Sequence, residues 1–461
     1  MTPEPIQNLI IGSGEGGKFL AWHLAQSGQP TLVVERRWIG GSCPNTNCLP
    51  SKNEIWSAKV AHLLHHANHF GFNIPTPTFD LAAVRQRKRD MVDGLIKAHL
   101  DRYKATGAQL LMGSARLTAP RTVEVTLNTG GTRTFLPERL FLNLGTHATI
   151  PPIPGLAESK PLTHIEILEL DRLPEHLIIL GGGYVGLEFA QAYRRFGSRV
   201  TILHHAPQLL AHNDPDVIAE VSRILSAEGI TVITSAEIQT VQGLSGSSVT
   251  VTVKTPTGTT TIQGTHLLVS TGRTPNTSNI GLDLAGIQLD PRGYLKVNER
   301  LETTAPNVYA IGECAGTPQF THVSLDDYRI IRDNLAGGHR TTTVRLIPSC
   351  LFIDPPLAHI GLSETEAARR NIPYRLAKIP AAAVLRTRTL DETQGFLKAL
   401  IDPATSRILG FTMIAPDAGE VMATVQTAML ANLPYTHLRD AILAHPTMAE
   451  GLNVLFSAPL K

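Results

Sequence analysis

The sequence predicts an α/β protein with two three-layer domains, and three observations lead to this fold class. The chain has 461 residues, which exceeds the size of one hydrophobic core and requires several domains. Twice, an apolar strand runs directly into a glycine-rich turn, at residues 12–17 and 181–186. Each turn is followed by a helical segment and a second apolar strand, so both domains are predicted to be Rossmann-like.

The first strand, turn and helix indicate a dinucleotide site. Its strand, glycine turn, helix and second strand are predicted at residues 7–11, 12–17, 19–25 and 31–34. Gly12, Gly14 and Gly17 let the backbone approach a pyrophosphate, and the helix N-terminus offers amide donors. Glu35 ends the second strand, where an acid binds the ribose of a dinucleotide.

The same pattern recurs in the second domain and predicts a second dinucleotide. Its strand, turn, helix and second strand are predicted at residues 177–180, 181–186, 187–196 and 199–203. The second strand ends on His204 and His205 instead of an acid. A carboxylate there would repel the 2′-phosphate of NADP. Its absence, with Arg199 close in sequence, favours NADP over NAD.

A cysteine pair, Cys43 and Cys48, follows the first dinucleotide site. Two thiols beside a bound dinucleotide suggest electron transfer through a disulfide. We expect both on one helical turn that is distorted at its start, with Pro44 helping to bend it. Half of a zinc site is the alternative, but no second pair follows at zinc spacing. Cys314 and Cys350 are isolated in sequence and are predicted to be buried, inert thiols.

The composition argues against two classes of partner. The chain has 41 Lys and Arg against 39 Asp and Glu and shows no basic stripe, which argues against nucleic acid. No apolar run reaches the roughly 18 residues of a membrane span, so no membrane partner is expected. Residues 1–5 show no secretion signal. We therefore expect a cytoplasmic protein, in which a close cysteine pair is typically catalytic or metal-binding.

The chain resembles the class I pyridine nucleotide–disulfide oxidoreductases, a family that includes dihydrolipoamide dehydrogenase, glutathione reductase and mercuric reductase. It resembles the mercuric reductase-like bacterial flavoproteins most. Six separated motifs carry the resemblance, in the order and spacing of the family. They are residues 12–17, 40–52, 181–188, 270–276 (Ser-Thr-Gly-Arg-Thr-Pro-Asn), 308–313 (Val-Tyr-Ala-Ile-Gly-Glu) and 445–450 (His-Pro-Thr-Met-Ala-Glu).

The resemblance implies FAD in the first site and NADP, or NAD, in the second. It also implies an α+β C-terminal dimerisation domain after the two Rossmann-like domains. We expect four regions. The FAD domain spans residues 1–150 and the NAD(P) domain residues 151–270. A segment that completes the FAD site spans residues 271–340, and the interface domain spans residues 341–461. The implied activity is an NAD(P)H-dependent disulfide reductase that passes electrons through FAD to Cys43–Cys48 and on to a small disulfide or a metal ion.

The resemblance also assigns roles to single residues. Cys48 is the thiol next to the flavin, and Cys43 is the interchange thiol that faces the substrate. Lys52 lies near the flavin and pairs with the glutamate of the second glycine motif. The remaining catalytic residues are Glu188, His445 and Glu450. The last two form an acid/base unit that reaches the disulfide of the other subunit, so a homodimer with shared active sites is implied.

The cofactor-binding residues follow from the same motifs. Tyr184 is expected to cover the flavin until nicotinamide displaces it. Glu313 stands where most relatives carry an aspartate bonded to the flavin ribitol, so its contact is expected to shift. The full predicted set is Gly12, Gly14, Gly17, Glu35, Gly41, Ser42, Lys52, Gly145, Gly312, Glu313, Gly181, Gly183, Tyr184, Val185, Gly186, His204, Gly272 and Arg273.

Departures from the family pattern leave the electron acceptor open. Ser42, Pro44, Thr46 and Asn47 replace commoner residues around the pair, which argues against lipoamide and glutathione. No cysteine follows Cys350, so a C-terminal pair cannot deliver a metal ion.

Two alternative functions stay open beside the disulfide reductase. The first is a dihydrolipoamide dehydrogenase. The second is a flavoprotein that binds or senses a metal through histidines on one helix face. These histidines, predicted on the helix after the cysteine pair, are His62, His65, His66 and His69. A solvated polar face is the simpler interpretation of their spacing.

Overall fold

The computed structural model describes residues 2–75 and 78–460 of the chain, and it confirms the mixed α/β fold. The strands are β1 (Glu4–Ile11), β2 (Thr31–Glu35), β3 (Gln109–Ala119), β4 (Thr122–Leu127), β5 (Thr132–Leu142), β6 (Thr146–Ala148), β7 (His176–Leu180), β8 (Arg199–Leu203), β9 (Thr231–Ile233), β10 (Glu237–Leu244), β11 (Ser248–Thr255), β12 (Gly258–Gly264), β13 (His266–Val269), β14 (Arg273–Pro275), β15 (Val308–Ala310), β16 (Ser349–Leu351), β17 (Leu357–Gly361), β18 (Arg375–Pro380), β19 (Phe396–Ile401) and β20 (Ile408–Ile414). The helices are α1 (Glu15–Gln26), α2 (Ser42–Asn45), α3 (Cys48–His65), α4 (Leu81–Thr106), α5 (Tyr184–Phe196), α6 (Pro215–Ala227), α7 (Thr321–Leu335), α8 (Glu364–Arg369), α9 (Leu385–Leu390), α10 (Ala418–Leu430), α11 (Thr436–Arg439) and α12 (Gly451–Ser457).

The first sheet places the first glycine turn. β1 pairs in parallel with β2 and with β5, and β15 joins β5 from far along the chain. Every residue of β2, Thr-Leu-Val-Val-Glu, is buried, as expected for a central parallel strand covered on both faces. The strand β15 lies in the segment that was expected to complete the FAD site. Parallel strands present their carboxyl ends at one edge of the sheet, so the residues that follow β1, β2, β5 and β15 meet there.

The second sheet repeats this arrangement on a smaller scale. Its four strands are parallel in the order β13, β7, β8 and β9, and a three-stranded antiparallel sheet of β10 to β12 lies beside it. Helix α6 begins with Asp214 as its N-cap and Pro215 as its first residue, a favoured pairing at helix starts because proline has no amide hydrogen to satisfy. The bounds confirm the second predicted strand–turn–helix unit, although α5 begins at Tyr184, earlier than predicted.

The C-terminal region is an antiparallel sheet covered by helices, which confirms the α+β expectation. Its strand order is β16, β17, β20, β19 and β18. Helices α10 and α12 bury apolar side chains, such as Val425 and Leu455, against this sheet.

Charged residues of α3, α5 and the C-terminal region form one network of ion pairs. Lys59 of α3 binds Asp354, and it also pairs with Glu392. Arg195 of α5 binds the same Asp354 at 2.5 Å and Glu228 at 2.8 Å. These side chains are mostly buried, so each ion pair depends on its partners for compensation of lost hydration. Helix α3 is therefore held in place from both other regions.

Among the described helices, none is long and apolar enough to cross a bilayer.

Candidate functional site

The first glycine turn has the close packing that a dinucleotide needs. A methyl group added at Gly12 would lie 2.2 Å from the Asn143 carbonyl oxygen, and one at Gly17 would lie 2.6 Å from the Gly12 carbonyl oxygen. Gly14 faces the Asn143 side-chain amide. Only glycine leaves this space, so the backbone of the turn stays open to a pyrophosphate. The described residues therefore fit the FAD that the motifs imply.

Glu35 fixes the turn from the end of β2. One carboxylate oxygen accepts hydrogen bonds from the Ser13 amide at 2.9 Å and the Ser13 hydroxyl at 2.8 Å. The other oxygen accepts the Arg37 and Trp38 amides at 2.8 and 3.0 Å. The predicted ribose ligand thus lies at the glycine turn, as its motif requires.

The second glycine turn repeats this geometry with a histidine in place of the acid. A methyl group at Gly186 would lie 2.2 Å from the Gly181 carbonyl oxygen. The buried His204 accepts the Gly182 amide hydrogen on Nδ1 at 3.1 Å, as Glu35 does for Ser13. Burial and the neighbouring His205 lower the pKa of His204. A neutral imidazole is therefore the counterpart of the missing carboxylate.

The placement of Arg199 corrects one argument for NADP. Arg199 begins β8 and His204 directly follows its last residue. An extended strand rises about 3.3 Å per residue, so Arg199 lies at the opposite end of the strand from the nucleotide turn. Its closeness to His204 in sequence therefore gives no support to NADP, and the preference for NADP stays a prediction that rests on the missing acid.

The cysteine turn consists of two helices, not of one distorted helical turn. Cys43 lies in α2, whereas Cys48 is the first residue of α3. Thr46 and Asn47 separate them with φ near −140° and −135°. The break corrects the expectation of a single helix, and it places Cys48 at the N-terminus of an 18-residue helix. The positive end of that helix dipole favours a thiolate there.

Gly41 and Ser42 join this turn to the first glycine turn. Gly41 has φ +80°, and a methyl group on it would lie 2.5 Å from the Gly14 Cα atom. Ser42 is the first residue of α2. The cysteine turn and the dinucleotide turn are therefore in direct backbone contact.

The two thiols differ in protonation. The Cys43 thiol donates to Cys48, and this bond, the Thr321 hydroxyl and the Lys52 ammonium lower the pKa of Cys48 to about 6 against the effect of burial. The Cys48 Sγ and Thr321 Oγ1 atoms are 3.1 Å apart. The same bond and burial raise the pKa of Cys43. At neutral pH the pair therefore holds one thiolate, on Cys48, and one protonated thiol.

Lys52 and Glu188 form the predicted ion pair. The Lys52 Nζ atom lies 2.6 Å from Glu188 Oε2, and the carboxylate also accepts the Phe352 amide hydrogen at 3.0 Å. Glu188 is buried and Lys52 is partly exposed. The ammonium also lies 4.8 Å from the centre of the Phe352 ring. The pair joins the N-terminal turn of α3 to the first turn of α5.

We expect Lys52→Met to raise the pKa of Cys48 by about 1 unit, because it removes the nearby cation. A pH titration of the reduced protein, followed by the ultraviolet absorbance of the thiolate, gives the pKa of Cys48 as its midpoint. Lys59→Met is the matched control, since Lys59 lies on the same helix but binds Asp354. An unchanged midpoint in Lys52→Met, or an equal shift in Lys59→Met, would refute the electrostatic role of Lys52.

Glu313 contacts two side chains of the described residues, and the shift of its flavin contact stays a prediction. Its carboxylate accepts a hydrogen bond from the Thr146 hydroxyl, and the Arg273 Nε atom lies 3.3 Å away. The neighbouring Gly312 amide donates to buried Asp327 at 2.7 Å. Arg273, the first residue of β14, thereby joins the 270–276 motif to Glu313, the acid expected beside the flavin.

The remaining predicted glycines shape the connection between the two dinucleotide sites. Gly145 and Gly272 have φ of +65° and +124°. The Gly145 carbonyl oxygen accepts the Asn276 amide hydrogen at 3.1 Å, and the Gly272 carbonyl oxygen accepts that of Thr149 at 3.0 Å. These bonds tie the 270–276 motif to the chain that follows β5.

Tyr184 begins α5, directly after Gly183 and before Val185. Its ring centre lies 6.4 Å from that of Phe320, which precedes α7, and burial raises the pKa of its hydroxyl. The side chain thus lies between the second glycine turn and the helix that carries Thr321. Its role as a gate over the flavin stays a prediction.

His445 and Glu450 form the second predicted pair. The His445 Nδ1 atom lies 2.9 Å from Glu450 Oε2, an arrangement in which the carboxylate orients the ring. The imidazole is 65% exposed. Within the described residues its hydrogen bonds go to Glu450 alone, and it does not contact Cys43 of its own chain. The outward face of the ring is free for another molecule.

The histidine face gives little support to a metal site. Helix α3 ends at His65, and His69 lies on a separate 3₁₀ helix, Ala67–Phe70, so the four histidines do not share one helix as predicted. The His66 Nδ1 atom bonds the His62 carbonyl oxygen at 2.8 Å. Among the described residues, the group of three or more potential metal ligands is carboxylate only and excludes these histidines.

Two of the contacting residues lacked a predicted role. The Thr321 hydroxyl contacts the Cys48 sulfur from 273 residues away. Asn143 directly follows β5, and a polar residue after a buried parallel strand was a signal that could have identified it. Of the two isolated cysteines, Cys314 is fully buried as predicted, whereas Cys350 is only partly buried.

Comparisons with known proteins agree with this geometry over nearly the whole chain. A family described as pyridine nucleotide-disulphide oxidoreductase matches residues 6–327, and its dimerisation domain matches residues 347–455. The chain is 35% identical over 457 residues to the probable pyridine nucleotide-disulfide oxidoreductase RclA of Escherichia coli, covering 98% of each. It is 33% identical to a mercuric reductase of Streptomyces lividans, covering 96% of this chain and 94% of that one. The solved Cu(II) complex of the HOCl-induced flavoprotein disulfide reductase RclA superposes with a TM-score of 0.90 at 34% identity, over 99% of both chains.

Proposed function

The chain belongs to the pyridine nucleotide-disulphide oxidoreductase family, and we propose that it uses Cys43 and Cys48 to reduce a thiophilic metal ion or a small disulfide. As in this family, the protein is an FAD-dependent oxidoreductase that takes electrons from NADPH or NADH. The observation that carries the proposal is the geometry of the pair. Cys48 begins helix α3 with its Sγ atom 3.1 Å from Thr321 Oγ1, and Cys43 lies in α2, which follows the Gly41 contact with the first glycine turn.

The residues around the cysteine pair have separate roles in the proposed reaction. The first glycine turn would hold FAD, which would supply the redox chemistry that links the nicotinamide to the Cys43–Cys48 disulfide. Cys48, held by Thr321 and Lys52, is the thiol on the flavin side. Cys43 is the thiol that attacks or binds the acceptor. Lys52 and Glu188 keep a fixed charge distribution beside the pair.

For a disulfide acceptor the thiol steps balance as follows. Cys43 gives its proton to His445 and attacks one sulfur of the acceptor, which forms a mixed disulfide and expels the first thiolate, and this thiolate takes the proton from His445. The Cys48 thiolate then attacks the Cys43 sulfur, restores the Cys43–Cys48 disulfide and expels the second thiolate, which takes a proton from solvent. Two electrons leave the pair with the two product thiols, together with one proton from the pair and one from solvent.

For a metal ion, Cys43 first loses its proton, and the two thiolates then bind the ion. As their disulfide reforms, two electrons pass to one Hg(II) ion or, one each, to two Cu(II) ions. A solved Cu(II) complex of RclA and the mercuric reductases among the relatives support a soft metal ion as acceptor. Thiolates prefer such ions to hard cations. A dihydrolipoamide dehydrogenase remains the second candidate, since a dihydrolipoyl dehydrogenase of Chlamydia pneumoniae is 32% identical over 443 residues.

We further propose a homodimer in which His445 and Glu450 of one subunit serve the cysteines of the other. The dimerisation-domain match and the outward imidazole support this arrangement. Ile442, three residues before His445, is fully exposed. An exposed apolar side chain at this position would be buried if a second subunit packed against it.

The regions at residues 1–150, 151–270, 271–340 and 341–461 are proposed as the FAD, NAD(P), central and interface domains. A cytoplasmic location is proposed because thiols stay reduced there.

A panel of acceptors under NADPH and NADH tests the function. We expect turnover with Cu(II) or Hg(II), or with a small disulfide, that requires both Cys43 and Cys48. Cys314→Ser is the matched control, because Cys314 is fully buried and its thiol bonds the Leu142 carbonyl oxygen. Turnover of the whole panel without Cys43 would refute the proposal. Reduction of NAD by dihydrolipoamide as the fastest reaction would favour the second candidate.

A further inference from the structure

A buried lysine of the C-terminal sheet lies inside a group of acids from two regions of the chain. Lys398 of β19 is 0% exposed. Its Nζ atom lies 2.7 Å from Asp214, 2.7 Å from Asp216 and 2.8 Å from Glu364. The three carboxylates offer oxygen atoms within 4.8 Å of one another. Without the ammonium at their centre these like charges would repel strongly in a buried place.

Asp214 is the most constrained member of this cluster. Its side chain is 2% exposed, and it also accepts the Glu364 and Thr365 amide hydrogens at 3.0 and 2.8 Å. Burial alone would raise the pKa of Asp214, but the bonds from Lys398 and Thr365 lower it to about 2. Asp214 is therefore ionised at any physiological pH, and it is fixed to the C-terminal region by three hydrogen bonds.

Asp214 also ends the loop that follows β8 at the second dinucleotide turn. This loop, residues 204–213, starts at His204, which accepts the Gly182 amide hydrogen. Leu209 packs on the same glycine, since a methyl group at Gly182 would lie 2.3 Å from the Leu209 Cδ2 atom. The loop thus contacts the glycine turn at its start and middle. The end of a parallel second strand is where the adenosine half of a dinucleotide binds.

Two groups therefore hold this loop, the glycine turn at one end and Lys398 at the other. We propose that Lys398 is a positioning residue for the nicotinamide dinucleotide. It anchors Asp214 from the C-terminal region and so keeps the 204–213 loop ordered over the adenosine site. The inference rests on the proposed function, because it assigns the second glycine turn to NADPH or NADH.

Lys398→Met in the flavin-loaded, full-length enzyme tests the inference. We expect the KM for NADPH and the Kd for 2′,5′-ADP, measured by calorimetry, to rise about tenfold, as when one loop residue must be ordered on binding. The value of kcat at saturating NADPH is expected to stay within about twofold, because Lys398 acts on binding and not on the reacting groups. Reduction by dithiothreitol should give the same thiolate–flavin absorption band as in the unaltered enzyme.

The matched control is Lys88→Met. Lys88 of α4 is also buried and bonds the Leu168 carbonyl oxygen at 2.5 Å and the Glu169 carboxylate, but neither partner belongs to the 204–213 loop or to its anchor Asp214. Its loss should lower stability and leave nucleotide affinity unchanged. If Lys398→Met does not fold, Asp216→Asn is the second variant. It removes one carboxylate of the cluster at a partly exposed position. It should raise the KM for NADPH and the Kd for 2′,5′-ADP, but by less than Lys398→Met.

Unchanged KM and Kd in a folded variant of the cluster would overturn the inference, and so would an equal rise in Lys88→Met. Loss of the dithiothreitol-induced band in the unaltered enzyme would instead refute the proposed function. The two failures are therefore distinguishable.

Discussion

Cys43→Ser is expected to lower turnover with every acceptor by about 10³-fold or more, because a nucleophilic thiol is replaced by a weakly acidic hydroxyl. The thiolate of Cys48 should persist, since Thr321 and Lys52 still favour it. Steady-state oxidation of NADPH, measured with the preferred acceptor of the panel, checks the first part. The long-wavelength absorbance of the flavin-loaded variant, recorded before NADPH is added, checks the second.

Two further results qualify this prediction. Cys314→Ser should keep normal turnover, which shows that loss of a thiol in itself is harmless. Turnover of Cys43→Ser within tenfold of the unaltered enzyme would mean that the acceptor takes electrons elsewhere, and the division of roles between the two cysteines would then be wrong.

His445→Gln is expected to lower kcat by about 10²- to 10⁴-fold, the usual effect of losing a general acid or base. Glutamine keeps a hydrogen-bonding group of similar size beside Glu450, but it cannot exchange a proton near neutral pH. Flavin reduction by NADPH should be unaffected, because the imidazole is not needed before the disulfide reacts. Rapid-mixing absorbance separates these two half-reactions.

A mixed dimer tests whether the acid/base unit acts across subunits. When His445→Gln and Cys43→Ser chains are combined, half of the dimers are mixed, and one of their two sites is complete if the pair acts in trans. Activity should then recover to about one quarter of normal at random association. If His445 served the cysteines of its own chain, the mixture would stay as inactive as the two parents.

Much of this site could be predicted from the sequence, because each of its motifs is a short continuous segment of the chain. The glycine turns, the cysteine spacing and the string His-Pro-Thr-Met-Ala-Glu each place their key residues within a few positions. The ion pair of Lys52 with Glu188 and the contact of His445 with Glu450 agree with what those motifs implied. The mixed α/β fold followed from the same strand–turn–helix units, and the structure confirms it.

What the sequence missed depends on how distant elements meet. Thr321 contacts Cys48 only because α7 returns to the first sheet, and Lys398 meets Asp214 only because β19 packs beside α6. Arg199 seemed close to His204, but an extended strand separates them. His69 fell outside the helix because α3 ends at His65. Sequence distance is a poor guide in each of these cases.

The central claim is that Cys48 is the thiolate beside the flavin and Cys43 is the thiol toward the acceptor. Anaerobic titration of the flavin-loaded enzyme with NADPH tests it most directly. A long-wavelength thiolate–flavin band should appear in the unaltered enzyme as its disulfide is reduced, and it should already be present in Cys43→Ser before NADPH is added. In both proteins the band should fade below about pH 6 as Cys48 becomes protonated. Cys48→Ser should show no band and no turnover. A band with full turnover in Cys48→Ser would contradict the account.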